Sequence, residues 1–325
     1  MKKLLITLLV LILLIPALAG CQIAGKPSDP RQITLNLTYI PNVQFAPFYV
    51  AIEKGYFAEK GLSVNLNYGN EADMMALVGA GDQNLMIASG EQVLLSRAQG
   101  LPVVYVMAWY QAYPVGVVSL MEKNIQKPQD LSGRTVGIPG LFGASYIGFE
   151  ALLRSASLQD GDVDLRSIGF SQVEAVSTNQ VEAAVIYVAN EPNVLESLGY
   201  PVNVIRVADY LDLVGNGLVT NEKTLQEDPQ LVRDVIEALT KSIKDIQADP
   251  SEAYEICKLY VENLENADEQ VQKAVLEDSI ALWQIDNPGY SDQQNWQNMQ
   301  ELLLAMQLMK TEVDLNEVFT NDYLP

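Results

Sequence analysis

The pattern of hydrophobic and polar positions alternates between a period of two and a helical period along most of the chain. Residues 33–39 and 63–68 alternate apolar and polar side chains, as half-buried strands do. The other predicted strands are 85–88, 103–107, a strand ending at 138, 163–168, 183–188 and 203–207. The predicted helices between them are 46–54, 71–80, 91–98 and 144–155. Strands that alternate with helices of this length predict βαβ units and an α/β fold with parallel sheets.

The pattern changes in the last third of the chain, where strands give way to amphipathic helices. These helices are predicted at 228–248, 250–263, 268–283 and 292–309, with Pro, Asn or Asp at the breaks. Two α/β units followed by helices predict two lobes joined by crossing strands, which we place at 115–120 and 208–219. Lobe 1 is expected to hold residues 33–114 plus 215–325, and lobe 2 residues 115–214.

The N-terminus has the pattern of a signal peptide. Lys2 and Lys3 precede a short apolar run, and small residues end at Gly20. The following Cys21 resembles the lipidated cysteine of bacterial lipoproteins, since it stands directly after Leu-Ala-Gly. We therefore expect residues 1–20 to be removed and Cys21 to carry a lipid. Residues 21–32 would be a linker that tethers the protein to the extracytoplasmic face of the cell membrane.

Composition narrows the function classes. The chain has 325 residues, with 20 basic against 41 acidic side chains and a formal net charge of −21. Such a charge makes nucleic acid an unsuitable partner and favours a soluble monomeric domain. Besides Cys21, the one other cysteine is Cys257, so no intrachain disulfide is expected and Cys257 is interpreted as a buried apolar thiol.

The chain contains no histidine. This absence removes Ser-His-Asp and Cys-His catalysis, histidine general bases and the usual zinc sites. A carboxylate-only enzyme remains conceivable, but the sequence favours a protein without catalytic activity, metal or cofactor.

Several ordered segments resemble the NMT1/THI5-like solute-binding proteins, the extracytoplasmic subunits of ABC importers. The segments are Tyr39–Asn42, Phe45–Ala51, Lys54–Phe57, Lys60–Leu62, Ala88–Glu91, Asp130–Pro139 and Asp314–Leu324. The resemblance implies a two-lobed type II periplasmic-binding-protein fold, a small-molecule ligand in the cleft between the lobes, and a permease partner. The eukaryotic relatives that synthesise the thiamine pyrimidine are expected to use histidine and a cysteine-rich motif, and this chain has neither.

Candidate ligand contacts follow the predicted strands, because ligands in open α/β sheets bind beyond the carboxyl ends of the strands. The residues selected in this way are Tyr39, Asn42, Phe45, Ser89, Glu91, Trp109, Tyr110, Phe142, Gly143, Ala144, Tyr187, Asn190, Glu191 and Asn216. Each also has a purely structural interpretation. Phe45 and Trp109 could be core residues, Gly143 could only shape a turn, and Glu91 could be a first-turn helix charge. Asn190 and Glu191 could form a helix cap.

The chemistry of these segments favours a neutral, planar ligand. None of them contains Lys or Arg, the usual partners of sulfonate, phosphate or carboxylate groups. Aromatic rings stack on flat heterocycles, and amides or carboxylates bind ring N–H and hydroxyl groups. Riboflavin, as a transported ligand rather than a cofactor, fits best, a choice that rests partly on the resemblance of the chain to riboflavin-binding members of the family. A thiamine-precursor aminopyrimidine is the alternative, ahead of a sulfonate. A ligand-sensing lipoprotein would have the same cleft.

Overall fold

The computed structural model describes residues 29–159, 161–283 and 287–325. The predicted signal peptide, the predicted lipidation site Cys21 and most of the predicted linker lie outside the described residues. Within the described part of the chain, no helix has the length and apolar character needed to cross a bilayer.

Two five-stranded sheets form the framework of the described residues. Their strands are β1 Arg31–Thr38, β2 Leu62–Gly69, β3 Leu85–Ala88, β4 Val103–Ala108, β5 Val115–Leu120, β6 Thr135–Ile138, β7 Asp164–Ser167, β8 Ala183–Tyr187, β9 Val202–Arg206 and β10 Gly217–Asn221. The first sheet has the order β2-β1-β3-β10-β4 and the second the order β7-β6-β8-β5-β9. The predicted α/β class is therefore confirmed, but both sheets are mixed rather than wholly parallel. The strands that return from the other sheet run antiparallel to their neighbours, β10 to β3 and β4, and β5 to β8 and β9.

Helices connect and cover these strands. They are α1 Ala46–Glu53, α2 Tyr56–Glu59, α3 Glu71–Ala80, α4 Gly90–Ala98, α5 Gly143–Ser155, α6 Gln172–Ser177, α7 Glu191–Ser197, α8 Glu222–Glu227, α9 Pro229–Ala248, α10 Pro250–Cys257, α11 Glu269–Trp283, α12 Gln293–Ala305 and α13 Leu315–Val318. The bounds of α3 are those predicted, because Asn70 caps its first amides and Gly81 ends it with φ +78°.

Two C-terminal helices end earlier than the sequence pattern predicts. The helix expected at 250–263 ends at Cys257, because the chain turns there and Tyr260 stacks on Tyr49 with ring centroids 4.5 Å apart. The Tyr260 hydroxyl also donates a hydrogen bond to Glu53 at 2.6 Å. The helix expected at 292–309 ends at Ala305, shortly before Gln307 takes a positive φ of 60°.

The first connection between the sheets precedes the predicted crossing strand at 115–120, whereas the second connection, 207–216, lies almost wholly within the predicted crossing at 208–219. Strand β5 lies wholly in the second sheet, where it pairs with β8 and β9. The connecting segments are therefore 109–114 and the residues between β9 and β10. Val115 pairs with Tyr187, and Gly217 pairs with both Ala88 and Ala108. Both connections thus join the carboxyl edge of one sheet to that of the other, while the lobe boundaries themselves stay a prediction.

The C-terminal helices complete the core on the first sheet. The long helix α9 packs its apolar face against α1, and Ser242 donates a hydrogen bond to the Pro47 carbonyl at 2.7 Å. The ring of Trp296, in α12, meets the ring of Tyr105 edge-on at 5.0 Å. Both α9 and α12 therefore stabilise the sheet whose carboxyl edge carries predicted site residues.

Gly217 is the tightest point of the first sheet and generates a stability prediction. A Cβ added there would lie 2.1 Å from Tyr105 Cζ and 2.3 Å from the Met107 carbonyl oxygen. Because the carbonyl cannot move without breaking the sheet, Gly217→Ala is expected to lower the free energy of unfolding by about 3 kcal/mol. Urea unfolding followed by circular dichroism measures this loss.

Gly100→Ala is the matched control, since Gly100 has φ +86° and nothing within 4 Å of an added Cβ. It should cost only about 1 kcal/mol, the penalty of the left-handed conformation. Equal losses in the two variants would contradict the close approach at Gly217.

Candidate functional site

The carboxyl edges of the two sheets bring chemically distinct side chains to one region. At each edge the chain leaves a parallel strand and enters a loop or helix, where ligands bind in open α/β folds. At the edge of the first sheet lie Tyr39, Glu71, Ser89, Glu91, Trp109 and Tyr110, and at the edge of the second lie Phe142, Gly143, Phe170, Tyr187, Asn190 and Glu191.

The two edges touch at Tyr39 and Phe170. Their rings meet edge-to-face with centroids 5.4 Å apart and planes at 67°. Both side chains keep solvent-exposed surface, 38% for Tyr39 and 72% for Phe170. Burial and, to a smaller extent, the charge of Glu191 raise the pKa of Tyr39. Aromatic surface from both sheets and a carboxylate from the second therefore meet at the outer side of the site.

Glu71 and Ser89 form a hydrogen-bonded pair deeper in the site. The Ser89 backbone N–H and hydroxyl both donate to one Glu71 carboxylate oxygen, at 2.6 and 2.8 Å. Ser89 is the residue before α4, while Glu71 opens α3. Burial raises the pKa of Glu71, and the two hydrogen bonds oppose that rise.

Glu91 is the most unusual side chain of the site. It is 0% exposed, and neither of its carboxylate oxygens has a hydrogen-bond partner among the described residues. Burial and then the charge of Glu71 raise the pKa of Glu91 to about 8. The Ser89 hydroxyl and the Glu91 backbone N–H oppose this rise, although the hydrogen bond of the Ser89 hydroxyl goes to Glu71. An unpaired buried acceptor of this kind costs about 1–3 kcal/mol, and more when charged.

Tyr187 and Asn216 complete this region. Burial raises the pKa of Tyr187 well above its usual value, and the charges of Glu91 and Glu71 raise it further. The Asn216 side chain opposes that rise as a neighbour of the Tyr187 hydroxyl. Asn216 Oδ1 is buried and has no hydrogen-bond partner among the described residues. Glu71, Ser89, Glu91, Tyr187 and Asn216 are called the inner cluster below.

A stack of aromatic rings lies under the first edge. Trp109 stacks on Tyr110 at 4.4 Å and on Phe45 at 5.3 Å. It also meets Phe48 edge-on at 5.4 Å. All four residues are nearly fully buried, so Phe45 and Trp109 pack as core residues in this conformation. Their contact with a ligand stays a prediction.

Other predicted site residues have identified local roles. Asn42 accepts a hydrogen bond from the Gln44 N–H and caps a short 3₁₀ turn. Gly143 begins α5 with φ +65°, and the Ala144 carbonyl accepts from the Tyr113 hydroxyl at 2.9 Å.

Asn190 and Glu191 stand at the start of α7. Asn190 makes no side-chain cap there, whereas Glu191 accepts from the Tyr187 N–H at 3.1 Å. Burial raises the pKa of Glu191 to about 7, although the Tyr187 and Asn190 groups oppose this rise. Glu191 therefore both orders the end of β8 and faces Tyr39 across the site.

The structure also shows residues that the sequence selection missed. Phe142 is 71% exposed and its ring lies over Gly140, whereas the unselected Phe170 contacts Tyr39. The unselected Glu71 neighbours Glu91. Each missed residue directly follows a parallel strand, so the rule that selected the others could have found them. In the sequence pattern Glu71 stands only as the first residue of the predicted helix 71–80, and Phe170 lies in the loop after β7, from which no candidate contact was predicted.

A cavity of about 130 Å³ lies where the two connecting segments meet. It is lined by Tyr105, Ala108, Tyr110, Gln111, Leu213, Val214, Gly215, Tyr290, Ser291, Asp292 and Asn295. This volume is below the roughly 300–1,000 Å³ of small-molecule sites. Of the predicted contacts only Tyr110 lines this cavity, so it does not mark the region where Tyr39 meets Phe170. No group of three carboxylate or thiol side chains is placed to hold a metal within the described ranges.

Comparisons with known proteins identify relatives along almost the whole chain. A family model described as NMT1/THI5 like matches residues 42–253. The riboflavin-binding protein RibY of Chloroflexus aurantiacus is 35% identical, with 95% of this chain and 91% of that protein covered. The formylaminopyrimidine-binding protein of Halalkalibacterium halodurans is 28% identical, with 96% and 97% covered.

Among solved structures, the periplasmic aliphatic sulphonate binding protein SsuA of Escherichia coli superposes with a TM-score of 0.73. It is 14% identical to this chain, and the match covers 90% of this chain and 99% of that one. The predicted two-lobed periplasmic-binding-protein fold is thereby confirmed.

The raised pKa of Glu91 generates a pH prediction. Between pH 4.5 and about 8, folded Glu91 keeps a proton that the unfolded chain has lost. The free energy of unfolding of the ligand-free protein should therefore fall as pH rises through this window. Glu91→Gln should remove part of that fall. Between pH 5 and pH 8 its free energy of unfolding should fall by at least about 1 kcal/mol less than that of wild type.

Urea unfolding at several pH values measures this difference. The exposed Glu312→Gln is the control and should follow the wild-type curve. The remaining slope in Glu91→Gln would come from Glu71 and Glu191, whose pKa values are also raised. If the free energy of unfolding changes with pH in the same way for Glu91→Gln and wild type, the carboxyl group of Glu91 is not buried without a partner.

Proposed function

The chain belongs to the NMT1/THI5-like family, and on this premise we propose that it is the solute-binding lipoprotein of an ABC importer whose ligand is riboflavin. The ligand would bind between the carboxyl edges of the two sheets. The lobes would close on it by a hinge motion and deliver it to a permease.

The observation that carries this proposal is the meeting of the two edges at one uncharged-to-acidic, aromatic region. Tyr39 and Phe170 contact each other across it, and Glu91 and Tyr187 interact electrostatically across it. One side of the site thus offers ring surface for stacking and the other offers hydrogen-bond acceptors. That combination suits a planar heterocycle with polar substituents.

Electrostatics support a neutral ligand over an anionic one. The segments that follow the parallel strands contain no Lys or Arg. Glu71, Glu91 and Glu191 take part in none of the ion pairs formed by the described residues. A sulfonate would meet carboxyl groups without a compensating guanidinium or ammonium. The likeness to a sulphonate binding protein concerns the fold alone.

The choice of riboflavin rests on two observations. A relative named as a riboflavin-binding protein is 35% identical to this chain, and the site has enough aromatic and hydrogen-bonding groups for both parts of a flavin. A flavin brings a tricyclic ring for the aromatic residues and a hydroxyl-bearing chain for the inner cluster. The second candidate is an aminopyrimidine, which the 28% identical relative and the same carboxyl groups favour. An aminopyrimidine would leave more of the aromatic surface unused.

Catalysis is not part of the proposal. The chain has no histidine, and its second cysteine, Cys257, is buried with a pKa raised by burial to about 12. A thiol in that state is a poor nucleophile. The site therefore has groups for binding and none matched to the chemistry expected of the pyrimidine-synthesising relatives.

The membrane anchor follows from the N-terminal sequence. Cleavage before Cys21 and lipidation of that residue would hold the protein at the extracytoplasmic face of the cell membrane, within reach of its permease. A monomer suffices for this role.

Titration of riboflavin with the mature chain tests the proposal. Flavin fluorescence should be quenched to saturation at one ligand per chain, because stacking on aromatic rings opens a quenching route. An aminopyrimidine and taurine serve as competitors, and neither should displace riboflavin at comparable concentration. Saturable aminopyrimidine binding without flavin quenching would favour the second candidate, and tight taurine binding would overturn the neutral-ligand proposal.

Tyr39 gives a second prediction. Because its ring meets Phe170 across the site, Tyr39→Ala should weaken riboflavin binding by about tenfold, the scale of one aromatic contact. The matched control is Tyr200→Ala. Tyr200 has a similar exposed fraction, 37%, but precedes β9 at the opposite edge of its sheet. Equal affinity in the Tyr39 and Tyr200 variants would contradict the proposed stacking surface.

A further inference from the structure

We infer that the inner cluster binds a hydroxyl-bearing chain attached to the ligand's ring, and that it rejects ligands with an anionic group on that chain. This inference rests on the proposed function and specifies its orientation: the ring lies toward Tyr39 and Phe170, and the polyol chain lies toward Glu91 and Asn216.

The first argument is that the inner cluster has unused acceptors. Both Glu91 carboxylate oxygens and Asn216 Oδ1 are buried without hydrogen-bond partners among the described residues. Glu91 is 0% exposed and Asn216 is 8% exposed. Buried polar atoms are normally paired, so a group that brings donors to this position would satisfy three atoms at once.

The second argument is that neighbouring protein donors are already used. The Tyr105 hydroxyl donates to the Gly215 carbonyl at 3.3 Å, and the Tyr113 hydroxyl donates to the Ala144 carbonyl at 2.9 Å. The Ser89 N–H and hydroxyl donate to Glu71. The charge of Glu91 acts on Tyr105, Tyr113 and Tyr187, so these are the ring hydroxyls that face it. The Tyr105 and Tyr113 hydroxyls are therefore not free to satisfy Glu91, and a ligand that brings donors would supply what its two carboxylate oxygens lack.

The third argument concerns which donors fit. An imide N–H only donates, whereas a hydroxyl both donates and accepts. Burial raises the pKa of Glu71, and burial together with the charge of Glu71 raises the pKa of Glu91 to about 8, so Glu91 changes protonation not far above neutral pH. A hydroxyl can pair with a carboxylate or with a carboxylic acid and suits both states. A row of hydroxyl groups also reaches two acceptors, on Glu91 and on Asn216, at the same time.

The fourth argument is electrostatic. The titratable groups that face Glu91 are Glu71, Tyr105, Tyr113 and Tyr187, and none of them is a cation. A phosphate at the end of the polyol chain would enter this acidic surrounding and lose its hydration without gaining a positive partner. A flavin mononucleotide should therefore bind far more weakly than riboflavin.

The test compares riboflavin with lumiflavin, which has the same tricyclic ring but a methyl group in place of the polyol chain. On wild type, riboflavin should bind at least about tenfold more tightly than lumiflavin. Glu91→Leu and Asn216→Ala should each weaken riboflavin by about tenfold and change lumiflavin by less than about threefold. Fluorescence quenching measures the six affinities, and circular dichroism checks that each variant is folded.

A second comparison keeps the inference falsifiable if Glu91→Leu does not fold. At pH 9, where Glu91 with its pKa of about 8 is ionised, wild type should bind flavin mononucleotide at least about a hundredfold more weakly than riboflavin, and Glu91→Gln should narrow that ratio by about tenfold. Two results would overturn this inference and leave the proposed function standing. One is an equal loss of affinity for riboflavin and for lumiflavin in the Glu91 and Asn216 variants. The other is a ratio of mononucleotide to riboflavin affinity that Glu91→Gln leaves unchanged. Failure of wild type to bind either flavin would overturn the proposed function and this inference together.

Discussion

The short connection between the sheets is the constraint on which the rest of the structure depends. The chain leaves the first sheet at Ala108 and enters the second at Val115, next to Tyr187. Because so few residues span only a limited distance, the carboxyl edges of both sheets are held close together. The return connection ends at Gly217, between Ala88 and Ala108, and repeats the constraint. Every candidate ligand contact follows from this arrangement, since each lies where a strand ends at these edges.

The same arrangement explains why the protein has a destabilising buried carboxyl group where the two edges meet. Glu91 is the second residue of α4, directly behind β3, so the fold buries its carboxyl group at the edge of the first sheet, with Glu71 beside it and tyrosines around it. A hydrophobic residue would suit that position better in a protein selected for stability alone. Binding sites commonly keep such groups, because the ligand supplies the partners that the protein lacks. The aromatic rings at the outer side add surface without adding charge.

Much of this could be predicted from the sequence. The sequence pattern predicts α3 and β3 with their observed bounds, because Asn or Gly residues stand close to both ends of each element. The early end of α10 could not be predicted, since it depends on the stacking of Tyr260 on Tyr49, which are distant in sequence. The same limit applies to the site. Sequence order places Glu91 after a strand, but only the folded chain shows that Glu71 is its neighbour and that Phe170 rather than Phe142 meets Tyr39.

The most direct test of the account is a crystal structure of the mature chain with riboflavin. The account predicts a flavin between the two edges, with its ring against Tyr39 or Phe170. It also predicts ribityl hydroxyls within hydrogen-bond distance of Glu91 and Asn216, the two residues whose acceptors are unpaired without ligand. A flavin bound elsewhere, or one whose ring faces Glu91 while its hydroxyls point to solvent, would contradict it.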